Sequence, residues 1–139
     1  MIFLQSNNLN QTNNIASLLS EYIAGGDVVL LQGELGAGKT TLASALIKAL
    51  GVQATVVSPT YNIIKEYKGK LDIFHLDMYR IKSSDELYEL GIEDCFSHDS
   101  LVIIEWNKLQ NLTGRIISIE ITTVDFNTRQ FKITGLLDS

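Results

Sequence analysis

The chain has 139 residues, 45% of them hydrophobic, and a formal net charge of −5. This length predicts one domain over residues 1–139, with enough apolar material for a core of its own. Because the eleven lysines and arginines are spread along the sequence, the charge argues against a protein that holds nucleic acid by itself.

Cysteine usage and the N-terminus bear on where the protein works. Cys95 is the single cysteine, so an internal disulfide is excluded, and two scattered histidines do not make a metal-ligand pattern. Residues 1–11 lack a basic region and carry only a short apolar run, unlike a signal peptide or a membrane span. We expect a cytoplasmic protein without a membrane segment.

The first predicted element is an amphipathic helix that follows Thr12, the candidate N-cap residue. Apolar residues recur there at helical spacing and form one face: Ile15, Leu18, Leu19, Tyr22 and Ile23. Gly25 and Gly26 are expected to end this helix.

A strand, a glycine-rich loop and a second helix come next. Residues 27–33, DVVLLQG, form an apolar run of strand length, typical of a strand buried on both faces. After the loop, apolar residues again recur at helical spacing: Leu42, Ala43, Leu46, Ile47 and Leu50. Gly51 is the expected stop.

The rest of the chain alternates between strand-like and helix-like segments. The segments that predict strands are 54–58, 71–76, 100–106, 115–123 and 129–135. A short helix through Leu90 would open at a capping box of Ser83 and Glu86 and stop at Gly91. The last two strand segments alternate in the manner of an antiparallel pair.

The glycine-rich loop carries the most specific pattern in the sequence. Residues 33–40, GELGAGKT, match G-x-x-x-x-G-K-[ST], in which backbone N–H groups and the following helix N-terminus hold a phosphate. Lys39 would reach the β- and γ-phosphates, and the Thr40 hydroxyl would ligate Mg²⁺. An ordinary glycine-rich turn is the alternative, but the buried strand before the loop and the helix after it disfavour that.

Loop and alternating elements together predict the fold class. It is α/β: a three-layer P-loop NTPase-like domain with a mixed, mostly parallel sheet. Helices would cover both faces of this sheet, and the C-terminal strand pair would be antiparallel.

ATP is the expected nucleotide. Residues 106–110, WNKLQ, imitate the N-K-x-D guanine signature, but Gln110 occupies the acid position, and an amide pairs less well with the two donors on guanine. A dinucleotide-binding loop also fits less well, because Thr41 stands where the third glycine would be.

Hydrolysis is favoured over phosphoryl transfer to a small acceptor, because kinases of that class use several cations, often on a lid. The arginines are Arg80, Arg115 and Arg129, and no long basic insertion is present. A small P-loop kinase stays an alternative, as does a nucleotide-binding scaffold. No arginine is obviously placed as a catalytic finger, which predicts slow turnover in isolation.

Two acids compete for the metal beside Thr40. Glu105 ends the buried strand LVIIE, where open α/β sheets place their sites, whereas Asp77 follows a run interrupted by His75. Glu105 is therefore predicted to bind the metal, and Asp77 to position water. In residues 58–61, SPTY, Thr60 is either a γ-phosphate sensor or part of a plain proline turn, and both interpretations stay open.

Taken together, the motifs resemble the bacterial TsaE family of ATPases. The matching segments are GELGAGKTT, SPTYNIIKEY, HLDMYR, ELYELGIEDCF and LVIIEW, in this order. The resemblance implies an ATPase required for threonylcarbamoyladenosine in tRNA, which acts on a partner, TsaD, in complex with TsaB. tRNA would then be contacted only indirectly.

The resemblance also implies roles for individual residues. The phosphates of ATP or ADP would be held by Gly33, Gly36, Ala37, Gly38, Lys39, Thr40 and Thr41. Thr40 and Glu105 would hold Mg²⁺, and Thr12 would lie close to the adenine. Lys39, Thr60, Asp77, Glu105 and Trp106 would be needed for activity, although Trp106 alone could also be core filling. One departure is Asn107, where the family commonly has proline.

Overall fold

The computed structural model describes residues 1–53 and 63–137. Its strands are β1 (Ile2–Ser6), β2 (Val28–Gln32), β3 (Ile64–Lys68), β4 (Asp72–Asp77), β5 (Ser100–Glu105), β6 (Ile116–Thr123) and β7 (Arg129–Thr134). Its helices are α1 (Leu9–Ser20), α2 (Lys39–Ala49), α3 (Ser84–Glu89) and a short 3₁₀ helix, Ile92–Cys95. None of the described helices is long and apolar enough to cross a membrane.

Within the part of the chain that the structure describes, seven strands form one mixed sheet in the order β1-β7-β6-β2-β5-β4-β3. The central strands β6, β2, β5 and β4 run parallel to one another, and the outer pairs β1–β7, β6–β7 and β3–β4 are antiparallel. The predicted mixed α/β sheet and its antiparallel C-terminal pair are confirmed. Parallel pairing is concentrated in the centre, where β2 and β5 are buried on both faces.

Helices cover both faces of the sheet, as predicted. Alternate residues of a strand point to opposite faces, so Val29 and Leu31 of β2 pack under α1 and α2, while Val28 and Leu30 face α3. The first core contains apolar residues of both long helices, and the second contains Leu87 of α3. The sheet and the helices on its two faces therefore form three layers.

The structure corrects the predicted start of the first helix. Asn8 is the N-cap residue, because its side chain accepts a hydrogen bond of 2.8 Å from the backbone N–H of Gln11. Thr12 lies inside α1, and the helix ends at Ser20. The predicted apolar stripe is narrower than expected, since Leu18 is 48% exposed.

The remaining predicted elements are found with small shifts. Ser83 is the N-cap residue of α3, but its side chain makes no capping hydrogen bond, so the predicted capping box of Ser83 and Glu86 is wrong. Strands β1 and β3 were not predicted, because both are edge strands with one face in solvent. The strand predicted at residues 54–58 lies outside the described residues.

Candidate functional site

The parallel strands bring the candidate residues to one edge of the sheet. β2 leads into the glycine loop, β4 ends at Asp77 and β5 ends at Glu105. In the register of the sheet, Glu105 lies between Leu31 of β2 and Asp77 of β4. Since open α/β sheets place their sites at the carboxyl ends of parallel strands, this edge is the candidate site.

The glycine loop surrounds open space in front of α2. Gly36 and Gly38 have φ angles of 82° and 108°, which side chains rarely adopt. A Cβ atom added at either residue would find no described atom within 4 Å. Gly33 is different, because a Cβ there would lie 2.7 Å from the carbonyl oxygen of Ile121 on β6. The loop is therefore packed at its base and open at its centre, where an anion would meet the helix N-terminus.

Lys39 is nearly buried and ties the loop together. Its Nζ donates hydrogen bonds of 2.8 Å to the carbonyl oxygens of Gly33 and Glu34, and it lies 4.2 Å from the centre of the Trp106 ring. Burial lowers the pKa of Lys39, while the nearby Glu105 and Asp77 carboxylates act to raise it. The ammonium group is thus held beside the open space, between an aromatic face and two acids.

Thr40, Glu105 and His75 form a buried chain of polar contacts. The Thr40 hydroxyl donates to the two Glu105 carboxylate oxygens at 2.9 and 3.2 Å. The Nε2 atom of His75 lies 2.5 Å from Glu105 Oε2, and both side chains are almost fully buried. On the other side of the ring, His75 Nδ1 has no hydrogen-bond partner among the described residues.

The contact of His75 with Glu105 is not predicted by the sequence, in which His75 interrupts an apolar run. The useful signal is the two-residue alternation of β4, which puts His75 on the same sheet face as Asp77. Sequence alone does not supply the register that brings His75 to Glu105, 30 residues further along the chain.

Asp77 has a different environment from Glu105. Its Oδ1 atom accepts a hydrogen bond of 3.0 Å from the backbone N–H of Tyr79, and its side chain is only partly buried. Its charge is close enough to raise the pKa of Lys39, although less than Glu105 does. Thr40 therefore has Glu105 as its carboxylate partner, and Asp77 lies at the rim of the same site.

Trp106 lies over the loop. It has a φ angle of 58°, in the left-handed region that costs a non-glycine residue about 1–3 kcal/mol. Its ring contacts Lys39 and lies 4.9 Å, centre to centre, from the ring of Tyr79. Because the ring is only partly buried and packs on Lys39, its place in the structure differs from that of a core residue.

Thr12 and Thr60 are two further predicted site residues. Thr12 is buried in α1, and its hydroxyl is 2.7 Å from that of Ser6. Its neighbours Leu9 and Asn13 line a cavity of about 560 Å³ together with Thr40 and Thr41, so the start of α1 borders the loop. Thr60 lies outside the described residues.

The oxygen ligands of this site suit a hard cation. A threonine hydroxyl and a carboxylate are in contact, and no group of three or more His, Cys, Asp or Glu side chains within residues 1–53 and 63–137 could hold a metal. Mg²⁺ is usually bound by one or two carboxylates together with nucleotide phosphates and water. The residues present therefore fit a magnesium–nucleotide complex better than a cage built of protein ligands alone.

Comparison with known proteins assigns the chain to a family. The family model described as "Threonylcarbamoyl adenosine biosynthesis protein TsaE" matches residues 6–131. The chain belongs to the TsaE family. This result confirms the resemblance of the sequence motifs and connects the chain to the biosynthesis of threonylcarbamoyladenosine in tRNA.

Curated relatives and a solved structure agree with membership of the TsaE family. The tRNA threonylcarbamoyladenosine biosynthesis protein TsaE of Rickettsia prowazekii is 40% identical over 127 residues, 88% of each chain. Its Bacillus subtilis counterpart is 36% identical over 132 residues, 93% of this chain and 82% of that one. The crystal structure of YdiB from Bacillus subtilis superposes with a TM-score of 0.75 at 30% identity, covering 97% of this chain and 85% of YdiB.

Proposed function

We propose that this TsaE-family chain is a Mg²⁺-dependent ATPase that supports threonylcarbamoyladenosine modification of tRNA through a TsaB–TsaD complex in the cytoplasm. One observation carries the proposal. Thr40, at the end of the glycine loop, donates a 2.9 Å hydrogen bond to Glu105 at the carboxyl end of buried β5. A hydroxyl and a carboxylate meeting there are the pair that a nucleotide-bound Mg²⁺ requires.

The loop would hold the phosphates of ATP. The open space over Gly36 and Gly38 can admit an anion, and the N-terminus of α2 favours negative charge there. Lys39 would exchange its bonds to the carbonyl groups of Gly33 and Glu34 for bonds to phosphate oxygens. Thr40 and Glu105 would hold Mg²⁺, which supplies charge neutralisation for the transferring phosphoryl group.

Residues at the rim would orient the attacking water. Asp77 is held by the Tyr79 backbone and is partly exposed, which suits a group that accepts a hydrogen bond from water. Trp106 would shield Lys39 from solvent and so strengthen the electrostatic contacts of its ammonium group. For Thr60, a role in a switch loop rests on the family resemblance alone.

Slow turnover in isolation is part of the proposal. Arg115 is bound to Asp27 at the far end of the sheet, and Arg129 is bound to backbone carbonyl groups. Neither guanidinium is therefore available to stabilise the transition state as an arginine finger. A cation from Arg80, which is exposed next to Tyr79, or from a partner protein would supply that stabilisation.

Distribution of charge supports action through a protein partner. Residues 84–95, which form α3 and the 3₁₀ helix, contain five acids and no lysine or arginine: Asp85, Glu86, Glu89, Glu93 and Asp94. A surface of this sign repels tRNA and would suit a basic patch on a protein. TsaB and TsaD are the proposed partners, and tRNA would be affected only through them.

ATP hydrolysis measured with and without TsaB–TsaD and tRNA tests the proposal. The wild-type protein should turn over slowly alone and faster with the partners, and the γ-phosphate should appear as free phosphate. Glu105→Ala should lose both turnover and support of tRNA modification, while Glu21→Ala, an exposed acid at the end of α1, should lose neither.

Other outcomes would favour the two alternatives. Modification that survives Glu105→Ala would instead indicate a nucleotide-binding scaffold. Labelled phosphate transferred to a small acceptor would indicate a kinase.

A further inference from the structure

Arg129 connects the glycine loop to the turn between β6 and β7. Its Nε atom donates a hydrogen bond of 3.0 Å to the carbonyl oxygen of Ala37, which is 92 residues away in sequence. Its Nη1 atom donates to carbonyl oxygens of the turn, at 2.9 Å to Asp125 and 3.2 Å to Thr128. One guanidinium thus joins the centre of the loop to the C-terminal hairpin.

The turn that contacts this guanidinium is held in place by hydrogen bonds of its own. Asp125 Oδ1 accepts hydrogen bonds from the backbone N–H groups of Asn127 and Thr128, at 3.0 and 2.9 Å. These bonds lower the pKa of Asp125, and the nearby charge of Arg129 adds to the effect. The carbonyl groups that Arg129 contacts therefore belong to a turn that is already fixed by its own hydrogen bonds.

The contact at Ala37 determines where the next N–H group points. In a trans peptide the carbonyl group of one residue and the N–H group of the next point in opposite directions, and the Ala37–Gly38 peptide is trans. Arg129 holds the Ala37 carbonyl group on the side of the turn between β6 and β7. The Gly38 N–H group therefore points in the opposite direction within the same peptide plane, and a Cβ atom added at Gly38 would find no described atom within 4 Å.

We infer that Arg129 is a positioning residue for the nucleotide phosphates: by holding the Ala37 carbonyl group, it fixes the direction of the Gly38 N–H group. The inference rests on the proposed function, because the phosphates of ATP or ADP are the ligand. A guanidinium is required because its separate nitrogen atoms reach the loop and the turn at the same time. A lysine has a single nitrogen atom and would hold only one of them firmly.

Substitution of Arg129 tests this inference. In Arg129→Ala, the affinity for Mg·ADP and Mg·ATP, measured by calorimetry, should fall about tenfold, as expected when a hydrogen bond to a charged group is lost. The KM for ATP should rise in parallel, with kcat changed by less than about twofold, because the N–H group binds ground state and transition state alike. Arg129→Lys should fall between Arg129→Ala and the wild type.

A matched control and a second readout separate positioning from general damage. Lys132→Ala removes a cation from the opposite face of the same strand and should bind as the wild type does. Without nucleotide, the Gly38 amide resonance should shift in Arg129→Lys and not in Lys132→Ala. If Arg129→Ala does not fold, Arg129→Lys and its Gly38 resonance decide alone.

The inference is overturned if the Arg129 variants bind nucleotide within about twofold of the wild type, or if Lys132→Ala is weakened equally. An unchanged Gly38 resonance in Arg129→Lys would also overturn it. A chain that does not bind nucleotide at all gives a different result, since the wild-type protein would then bind neither Mg·ADP nor Mg·ATP, and the inference would fall together with the proposed function. A scaffold or a kinase would still bind nucleotide, and the Arg129 variants would test the inference there in the same way.

Discussion

Asp27 and Glu105 are both buried carboxylates, but they lie at opposite ends of the parallel strands and have different partners. Asp27, just before β2, receives two bonds from the Arg115 guanidinium, at 3.1 and 2.6 Å, and one of 2.8 Å from the Ala24 N–H. Glu105, at the end of β5, is held by the hydroxyl of Thr40 and the imidazole of His75.

The difference separates an acid held in an ion pair from the acid that we propose as a metal ligand. The Asp27 carboxylate is paired with a full charge in a bidentate geometry, and Arg115 also binds the carbonyl oxygens of Tyr22 and Leu136. That arrangement joins loops. Both carboxylate oxygens of Asp27 already accept hydrogen bonds, so little of their bonding capacity remains for a ligand. Glu105 instead has a hydroxyl and an imidazole as partners, and its contact with Thr40 places it beside the end of the glycine loop.

Glu105→Ala should give the largest effect on activity. We expect kcat/KM for ATP hydrolysis to fall at least about 100-fold, because a metal ligand contributes several kcal/mol to transition-state stabilisation. Thermal unfolding should show that the variant still folds. A steady-state assay with saturating Mg²⁺ checks this, and activity within about threefold of wild type would contradict the assignment.

Asp27→Ala should show the opposite profile. Removing one partner of a buried ion pair should lower the free energy of unfolding by about 3 kcal/mol, at the lower end of the usual range because the Arg115 side chain is 35% exposed. Nucleotide affinity below the melting temperature should not change. Urea unfolding and calorimetry measure the two quantities. A variant that loses ATP affinity without losing stability would remove the distinction between the two acids.

His75 bears on the comparison of the two acids, because its imidazole contacts the Glu105 carboxylate. In His75→Leu we expect half-maximal turnover to need roughly tenfold more Mg²⁺, since residues that hold a metal ligand commonly affect metal affinity by this much. His75→Gln keeps a donor near the position of Nε2 and should restore much of the affinity. Equal behaviour of the two variants in a magnesium titration would argue that His75 only fills space.

The fold and the site differ in how far the sequence predicted them. β2, β5 and α2 were predictable, because apolar runs and helical spacing mark burial locally. The edge strand β3 was missed, since its residues are half in solvent and its pairing with β4 is set by register. The sequence predicts Thr12 as the N-cap residue, whereas Asn8 caps the helix in the structure. Both residue types cap helices well, so local sequence does not choose between them.

Within the site, local motifs gave the residues but not their contacts. The loop and the two acids each follow a predicted strand, and the carboxyl ends of parallel strands meet at one edge of a sheet. Their common location could therefore be predicted. The contacts of His75 with Glu105 and of Arg129 with Ala37 span 30 and 92 residues, and only the packed sheet defines them.

Cys95 provides the smallest expected effect and a third kind of buried ionisable group. None of the described residues acts on it as a cationic partner, and burial raises its pKa to about 11, with the charges of Asp94 and Glu66 acting in the same direction. The folded state therefore keeps the proton between pH 9 and 11, where the unfolded thiol loses it, so stability falls as pH rises through this range.

Thiol labelling of the native protein at pH 8 should accordingly be slow and should become fast on unfolding. Stability measured from pH 9 to 11 should fall more in the wild type than in Cys95→Ala, which serves as the matched control. Rapid native labelling at pH 8 would contradict the burial of this thiol.

The central claim is that Glu105, and not Asp77, binds the magnesium that accompanies ATP. The most direct measurement is the magnesium dependence of ATP hydrolysis in Glu105→Ala and Asp77→Ala, with partners present so that low rates can be followed. We expect Glu105→Ala to lose its response to Mg²⁺, and Asp77→Ala to turn over slowly with a normal midpoint. Normal Mg²⁺ dependence in Glu105→Ala, with its loss in Asp77→Ala, would exchange the two roles.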